Sequence, residues 1–375
     1  MVLAMLVIPK ILVIAARHSL YDVSDDRKTH EGAIPRIGGV SFVPCILFAM
    51  MFTLGIFYQY PGVVESHGYY PNHSDLYLFF CGLIFLYLGG VKDDLVGLRY
   101  RHKFAIQIIS SLLIVFSGLY INNVPGFLEI YRLTPWIGAL LTIIVLVFIT
   151  NAMNLIDGID GLASGLSIFA LCVYGTLFHL NGLWSYAVLA FSTVGVLIPF
   201  FYYNVFGNVN MGRKLFMGDS GSLTLGFILG FLAVRYACFQ PDVIRPIGNI
   251  LVFAVSPILI PILDVMRVIL VRIKKRKHLF IADRSHIHHK LMDMGLSKSF
   301  ALILILSLNT TFCIINFILI QYISCIFIFM IDILLWSVAN IYFSNVVKKK
   351  NNVVKRKNNV VKRKNMDVAL FKDLI

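Results

Sequence analysis

Five short polar segments interrupt an otherwise apolar chain of 375 residues, and they hold most of the residue types that chemistry needs. They are DRKTHEGAIPRIGG at 26–39, KDDLVGLRYRHK at 92–103, NAMNLIDGIDGLASG at 151–165, FMGDSGS at 216–222 and ADRSHIHHK at 282–290. Asp93 and Asp94 are adjacent, with Lys92, Arg99, Arg101 and Lys103 close by. Neighbouring carboxylates repel and a cation lowers that cost, so this segment alone is also satisfied by a neutralised, solvated helix end. In the third segment Asn151, Asn154, Asp157 and Asp160 recur every third residue. On a helix that spacing stacks them along one face as a ladder of oxygen ligands, with Gly158 and Gly161 loosening the backbone so that it can approach a ligand.

Asp219 and Ser220 directly precede a long apolar run. One of them is placed to cap that helix, leaving freed N–H groups and the helix dipole to face an anion. A carboxylate at such an end suits phosphate when a cation lies between the two, and Mg²⁺ takes one or two carboxylates plus substrate phosphates. His286, His288 and His289 follow Arg284 in a basic loop whose nearest carboxylates are Asp283 and Asp293, with no Cys close by. That set fits phosphate binding and charge neutralisation better than zinc. No P-loop and no dinucleotide fingerprint is present, so a nucleotide must be held by these same loops.

The elements that position these residues are membrane spans. The chain is 58% hydrophobic and 14% charged, with a mean hydropathy of +0.82, far from soluble composition. Apolar runs long enough to cross about 30 Å of hydrocarbon as helices fall at 1–16, 38–58, 75–91, 104–121, 135–152, 161–180, 184–203, 221–238, 246–271, 299–319 and 322–343. The expected fold is therefore an all-α polytopic integral membrane protein with about eleven transmembrane helices. Residues 1–345 form one membrane domain and 346–375 a basic low-complexity tail. The first run contains Lys10 and no small-residue cleavage site follows it, so it is read as a span and not as a signal peptide.

Positively charged loops stay on the cytoplasmic side. With the N-terminus outside, every Lys and Arg of the 33 falls in inner loops and the tail except Arg132, Arg235, Arg245 and the intraspan Lys10. All five polar segments then share the cytoplasmic side. The net charge of +14 is a topology signal first and an attraction to anionic membrane lipids second. It does not indicate nucleic acid. The six cysteines lie in or near apolar runs with no CxxC pair and read as small buried hydrophobes. A secondary transporter would place its charges near the bilayer midplane and show internal repeats, whereas these charges gather at one surface.

Taken in order, KDD, NxxNxxDGxDGLA, FMGDSGS and the His-rich loop resemble the polyprenyl-phosphate N-acetylhexosamine-1-phosphate transferases, over residues 26–290. In the loop DRSHIHHKLMDMG, Ile287 interrupts the histidines and Lys290 follows them. This is similar to the bacterial GlcNAc-1-phosphate transferases of O-antigen, common-antigen, teichoic acid or capsule synthesis. The phospho-MurNAc-pentapeptide branch usually has three consecutive histidines, and tends to have TPTMGG where this chain has Arg36 in IPRIGG.

The resemblance implies transfer of a sugar 1-phosphate from a UDP-N-acetylhexosamine to undecaprenyl phosphate, with Mg²⁺ (or Mn²⁺) as cofactor and UMP released, in the bacterial inner membrane. It implies that Asp219 with Asn154 holds the metal, and that Asp93 and Asp94 order the lipid phosphate. Lys103 and Arg284 would bind phosphates, and Arg36 is a further substrate-binding candidate. Asp157 and Asp160 would line the nucleotide side, Asn204 would help with uracil, and the three histidines would border the pyrophosphate and sugar. Relatives suggest a homodimer. Asp264, in PILDVMR, is expected to pair with Arg267 or cap a kink and not to take part in chemistry.

Overall fold

Within hydrocarbon every backbone N–H and C=O needs a partner inside the protein, and the computed structural model meets this demand with helices almost throughout. It describes residues 1–18, 20–22, 34–59, 74–123, 133–239, 248–276 and 286–372. In chain order the helices are α1 (Val2–Arg17), α2 (Phe42–Tyr58), α3 (Ser74–Val96), α4 (Tyr100–Phe116), α5 (Pro135–Ile156), α6 (Leu162–Leu180) and α7 (Trp184–Val205). They continue with α8 (Gly218–Ala237), α9 (Gly248–Val255), α10 (Leu259–Lys274), α11 (Ile287–Met294), α12 (Lys298–Leu319) and α13 (Cys325–Lys372). A two-residue antiparallel pair, Tyr21–Asp22 with Ile34–Pro35, is the extended element among the described residues.

Each of the eleven apolar runs coincides with helix. Among the described residues nine stretches are long and apolar enough to cross a membrane, while α1 and α4 are shorter, at 16 and 17 residues. The run at 246–271 is not one helix. It divides into α9 and α10 around a 3₁₀ turn at Ser256–Ile258, where Pro257 interrupts the ladder. Asn309 of α12 secures that break, accepting from Ile260 N–H at 3.2 Å and donating to Pro257 O at 2.9 Å. At the other extreme α13 runs from its span straight into the basic repeat.

α8 is the axle of the bundle: every residue from Gly218 to Val234 is buried. It packs against α3, α5, α6 and α9. Lipid tails are as apolar as side chains, so helices in a membrane associate through close packing of small residues and through polar contacts. Gly226 of α8 meets Thr150 of α5, Gly90 of α3 meets Ser220, and Ser110 of α4 donates to Gly82 O of α3 at 2.9 Å. Phe79 of α3 stacks on Phe231 of α8 with centroids 4.1 Å apart. At the end of α8 away from Asp219, Arg235 pairs with Asp75 of α3 at 3.0 Å, and Tyr186 of α7 donates to the same carboxylate.

Chain direction alternates between these helices. The C-terminal ends of α3, α5 and α7 therefore meet the N-terminal ends of α4, α6 and α8, and they bring Asp94, Lys103, Asn154, Asn204 and Asp219 to one end of the bundle.

Candidate active site

Two backbone segments come together first. Phe216 N–H donates to Pro35 O at 2.8 Å, Gly38 N–H to Phe216 O at 2.9 Å, and Gly39 N–H to Met217 O at 2.8 Å, so IPRIGG runs beside FMG. The approach needs glycine on both sides: a Cβ on Gly39 would lie 2.0 Å from Gly221 N. Gly218, at φ +74°, takes a left-handed turn that L side chains rarely adopt, and from there α8 begins. This pairing sets Arg36 over the first turn of α8.

Asp219 is the hub, 6% exposed. Its carboxylate accepts from Arg36 Nη2 at 3.0 Å, Lys103 Nζ at 2.6 Å and Asn154 Nδ2 at 3.0 Å. Lys103 also pairs with Asp93, and Asp93 accepts from Leu98 N–H, closing the tight turn between α3 and α4. Asn154 Nδ2 reaches Ser222 Oγ at 2.8 Å as well, which leaves Asn154 Oδ1 as the end available to a cation.

Two expectations are corrected. Asp219 and Ser220 do not cap α8; they lie in its first turn, and the cap comes from another helix. Asp94 of α3 accepts from Asp219 N–H at 2.7 Å and Ser220 N–H at 2.9 Å, so a protein carboxylate already occupies the anion-attracting helix end. Nor is there a single oxygen ladder. α5 stops at Ile156 and Asp157 leaves helical geometry at φ −73°, ψ 54°, so the polar residues fan out. Asn151 Nδ2 donates to Gln107 Oε1 at 2.6 Å, Asn154 turns to Asp219, Asp157 enters a cavity, and Asp160 pairs with Lys214 at 2.7 Å.

That cavity, of about 280 Å³, is lined by Arg36, Asn154, Asp157, Asp160 and Asp219, with Asn204 at its wall. Asn204 also ties backbone together, accepting from Gly161 N–H at 2.6 Å and donating to Leu215 O at 2.8 Å. Asp93 and Lys103 border a separate gap of about 10 Å³ between α3, α4 and α8. Asp157 has no hydrogen-bond partner among the described residues. Removal from water pushes its carboxyl up to about 7; Arg36 opposes the rise, and Asp219, Asp160 and Asp94 add repulsion.

A divalent ion beside Asp157 and Asp219 would relieve that crowding. Among the described residues no cluster of three or more His, Cys, Asp and Glu forms a complete cage. A two-carboxylate site with Asn154 Oδ1 suits Mg²⁺, which takes its remaining ligands from water and phosphate.

The histidines sit behind this cavity, outside its lining. His288 is 1% exposed, its ring centroid 5.9 Å from that of His286 and 4.2 Å from that of His289. It packs on the backbone at Gly158, where a Cβ would fall 2.1 Å from Nε2. Burial, with the charges of His289 and His286, holds its pKa down at about 3, so the ring is neutral. Arg284 lies outside the described residues.

Residues 76–237, which contain the hub and most of the cavity, match the profile of glycosyl transferase family 4. A probable undecaprenyl-phosphate N-acetylglucosaminyl 1-phosphate transferase of Bacillus subtilis (strain 168) is 30% identical over 312 residues, covering 83% of this chain and 80% of that relative. The undecaprenyl-phosphate alpha-N-acetylglucosaminyl 1-phosphate transferase of Escherichia coli (strain K12) is 29% identical over 296 residues, covering 78% and 74%. This chain belongs to glycosyl transferase family 4.

Within this family 4 transferase, sequence reasoning had no separate role for Lys214 or Gln107. Lys214 was legible in principle, as a cation in the loop that leads into Asp219 with unmatched acids nearby. Gln107 had no signal of its own, since it faces Asn151 only after α4 folds against α5.

Proposed function

We propose that this protein transfers an N-acetylhexosamine 1-phosphate, GlcNAc 1-phosphate in the first instance, from a UDP-sugar to undecaprenyl phosphate. The products are UMP and undecaprenyl-diphosphate-sugar, the starting lipid for a bacterial cell-envelope glycan. The names of the relatives support the lipid acceptor and the transferred group. The observation that carries the reading is Asp157, a carboxylate without a hydrogen-bond partner among the described residues, set beside Asp219 in a cavity at the end of six helices. The bias of Lys and Arg toward loops on that side supports a cytoplasmic site in the inner membrane, with the N-terminus outside and the C-terminus inside.

In the proposed reaction an oxygen of the lipid phosphate attacks the β-phosphorus of the UDP-sugar. One P–O bond forms there, the bond to the oxygen bridging the two phosphates breaks, and UMP departs with that oxygen. Phosphoryl transfer depends chiefly on positioning and charge neutralisation. The last proton of a phosphate ester has a pKa near 6, so at neutral pH the acceptor needs little help from a base.

Asp219, Asp157 and Asn154 Oδ1 would hold Mg²⁺, which supplies neutralisation of the diphosphate when bound. Arg36 lies half-exposed over Asp219 and is placed to take a phosphate from the cavity side. Lys103 balances Asp93 and Asp219 together. Asp160, held by Lys214, forms the far side of the cavity, where the nucleotide would lie.

The test is UMP release by the purified protein with undecaprenyl phosphate and Mg²⁺, comparing UDP-GlcNAc, UDP-GalNAc and UDP-MurNAc-pentapeptide, with EDTA as control. Lipid-dependent, EDTA-sensitive release from UDP-GlcNAc is expected. Release from the pentapeptide substrate alone would move the chain to the peptidoglycan branch.

A further inference from the structure

Asp264 was expected to pair with Arg267 or cap a kink. It does pair with Arg267, whose Nη2 donates to Oδ1 at 2.9 Å, but its reach is longer. Fully buried on α10, it meets Nδ1 of His286 through Oδ2 at 2.8 Å and accepts from Ile287 N–H through Oδ1 at 3.2 Å. His286 is the N-cap residue of α11 and supplies no side-chain cap of its own, so Asp264 provides that cap from another helix.

The contact also sets the chemistry of the ring. A carboxylate offers no proton, so the imidazole nitrogen facing it must carry one. With Nδ1–H committed to Asp264, the neutral ring is held in one orientation and one tautomer, with the lone pair on Nε2. The His286 ring lies parallel to that of His288 within 6°, and His288 backs onto Gly158, next to Asp157. A fixed row therefore runs from α10 to the cavity wall, and Asp264 anchors its far end without lining the cavity.

We infer that Asp264 is a positioning residue for the transfer reaction: it fixes the ring and tautomer of His286, and the parallel rings of His286 and His288 pass that order to the backbone at Gly158, which holds Asp157 at the cavity wall. This deepens the proposed function and rests on it.

The test compares wild type, Asp264→Asn, His286→Asn and the double variant in UMP release, thermal unfolding and ¹⁵N NMR of histidine-labelled protein. Residues that support metal-site ligands from outside typically matter by about 10–100-fold, so D264N, acting through the wall that carries Asp157, should lower kcat by up to about that factor while the KM for undecaprenyl phosphate stays put. In the H286N background the same change should add less than about twofold, because residues acting as one unit are not additive. Independent effects that multiply, or a lower melting temperature with kcat intact, would reduce Asp264 to a structural cap and overturn the inference. The NMR signal decides the tautomer without any turnover. Nδ1–H at His286 in wild type, lost in D264N, is expected, and a bare Nδ1 in wild type would overturn the inference. Wild-type protein inert to every UDP-sugar, with Nδ1–H observed, would instead fail the proposed function and leave the pairing standing.

Discussion

Replacing Asp94 with Ala should damage the fold more directly than the chemistry. Its two oxygens satisfy Asp219 N–H at 2.7 Å and Ser220 N–H at 2.9 Å, the first free donors of a helix whose start is wholly buried. Each buried donor left unpaired costs roughly 1–3 kcal/mol, and loss of an N-cap costs roughly 0.5–2 kcal/mol. The two figures overlap, which puts Asp94→Ala at about 2–5 kcal/mol. Asp94→Asn keeps one acceptor oxygen and loses the charge facing the helix dipole, so about half of that cost is expected. The assay is unfolding in detergent micelles, monitored by intrinsic fluorescence, for wild type and both variants, with UMP release measured on the fraction that stays folded. The expected order of stability is wild type, then Asn, then Ala, with turnover falling alongside because Asp219 rides on the same turn. Asp94→Ala as stable as wild type yet devoid of turnover would refute this reasoning and return Asp94 to direct contact with the lipid phosphate.

Gly39→Ala should destabilise by about 1–3 kcal/mol or more, since its Cβ would press 2.0 Å from Gly221 N, backbone that has no rotamer to yield; melting temperature reads this. Asp157 titrates at about 7 in the folded protein against 3.8 for the free group, so folding favours its protonated form. The stability it contributes is present at low pH and is lost as pH rises between those values, by at most about 1.4 kcal/mol per unit. Asp157→Asn should flatten that part of the metal-free stability profile, and added Mg²⁺ should raise the melting temperature of wild type more at pH 8 than at pH 6. An unchanged profile in Asp157→Asn would remove the crowding argument.

Much of the architecture could be read from the chain because lipid is a severe filter: an apolar run of spanning length becomes a helix, and the alternation of helix direction then brings the described parts of the polar segments to one end. FMGDSGS pointed to Asp219 for a similar reason, since a carboxylate has little business in such a run unless something charged meets it. What stayed hidden depends on contacts between residues distant in sequence. The cap on α8 comes from Asp94, 125 positions earlier, and no local pattern distinguishes a carboxylate that caps a remote helix from one that faces solvent. The three-residue spacing from Asn151 to Asp160 suggested one face, but α5 ends at Ile156 and the four side chains find four different surroundings. Asp264 drew attention as a partner of Arg267, three residues on, or as the cap of a kink, because His286 is 22 positions away and meets it only across packed helices.

The central claim is that the sugar travels with its phosphate. UDP-GlcNAc carrying ³²P at the β-position, incubated with the purified protein, undecaprenyl phosphate and Mg²⁺, tests it most directly. The label should pass into the butanol-extractable lipid in step with the sugar, leaving unlabelled UMP in water. Sugar in the lipid with the label left behind in UDP would mean ordinary glycosyl transfer and would contradict the account.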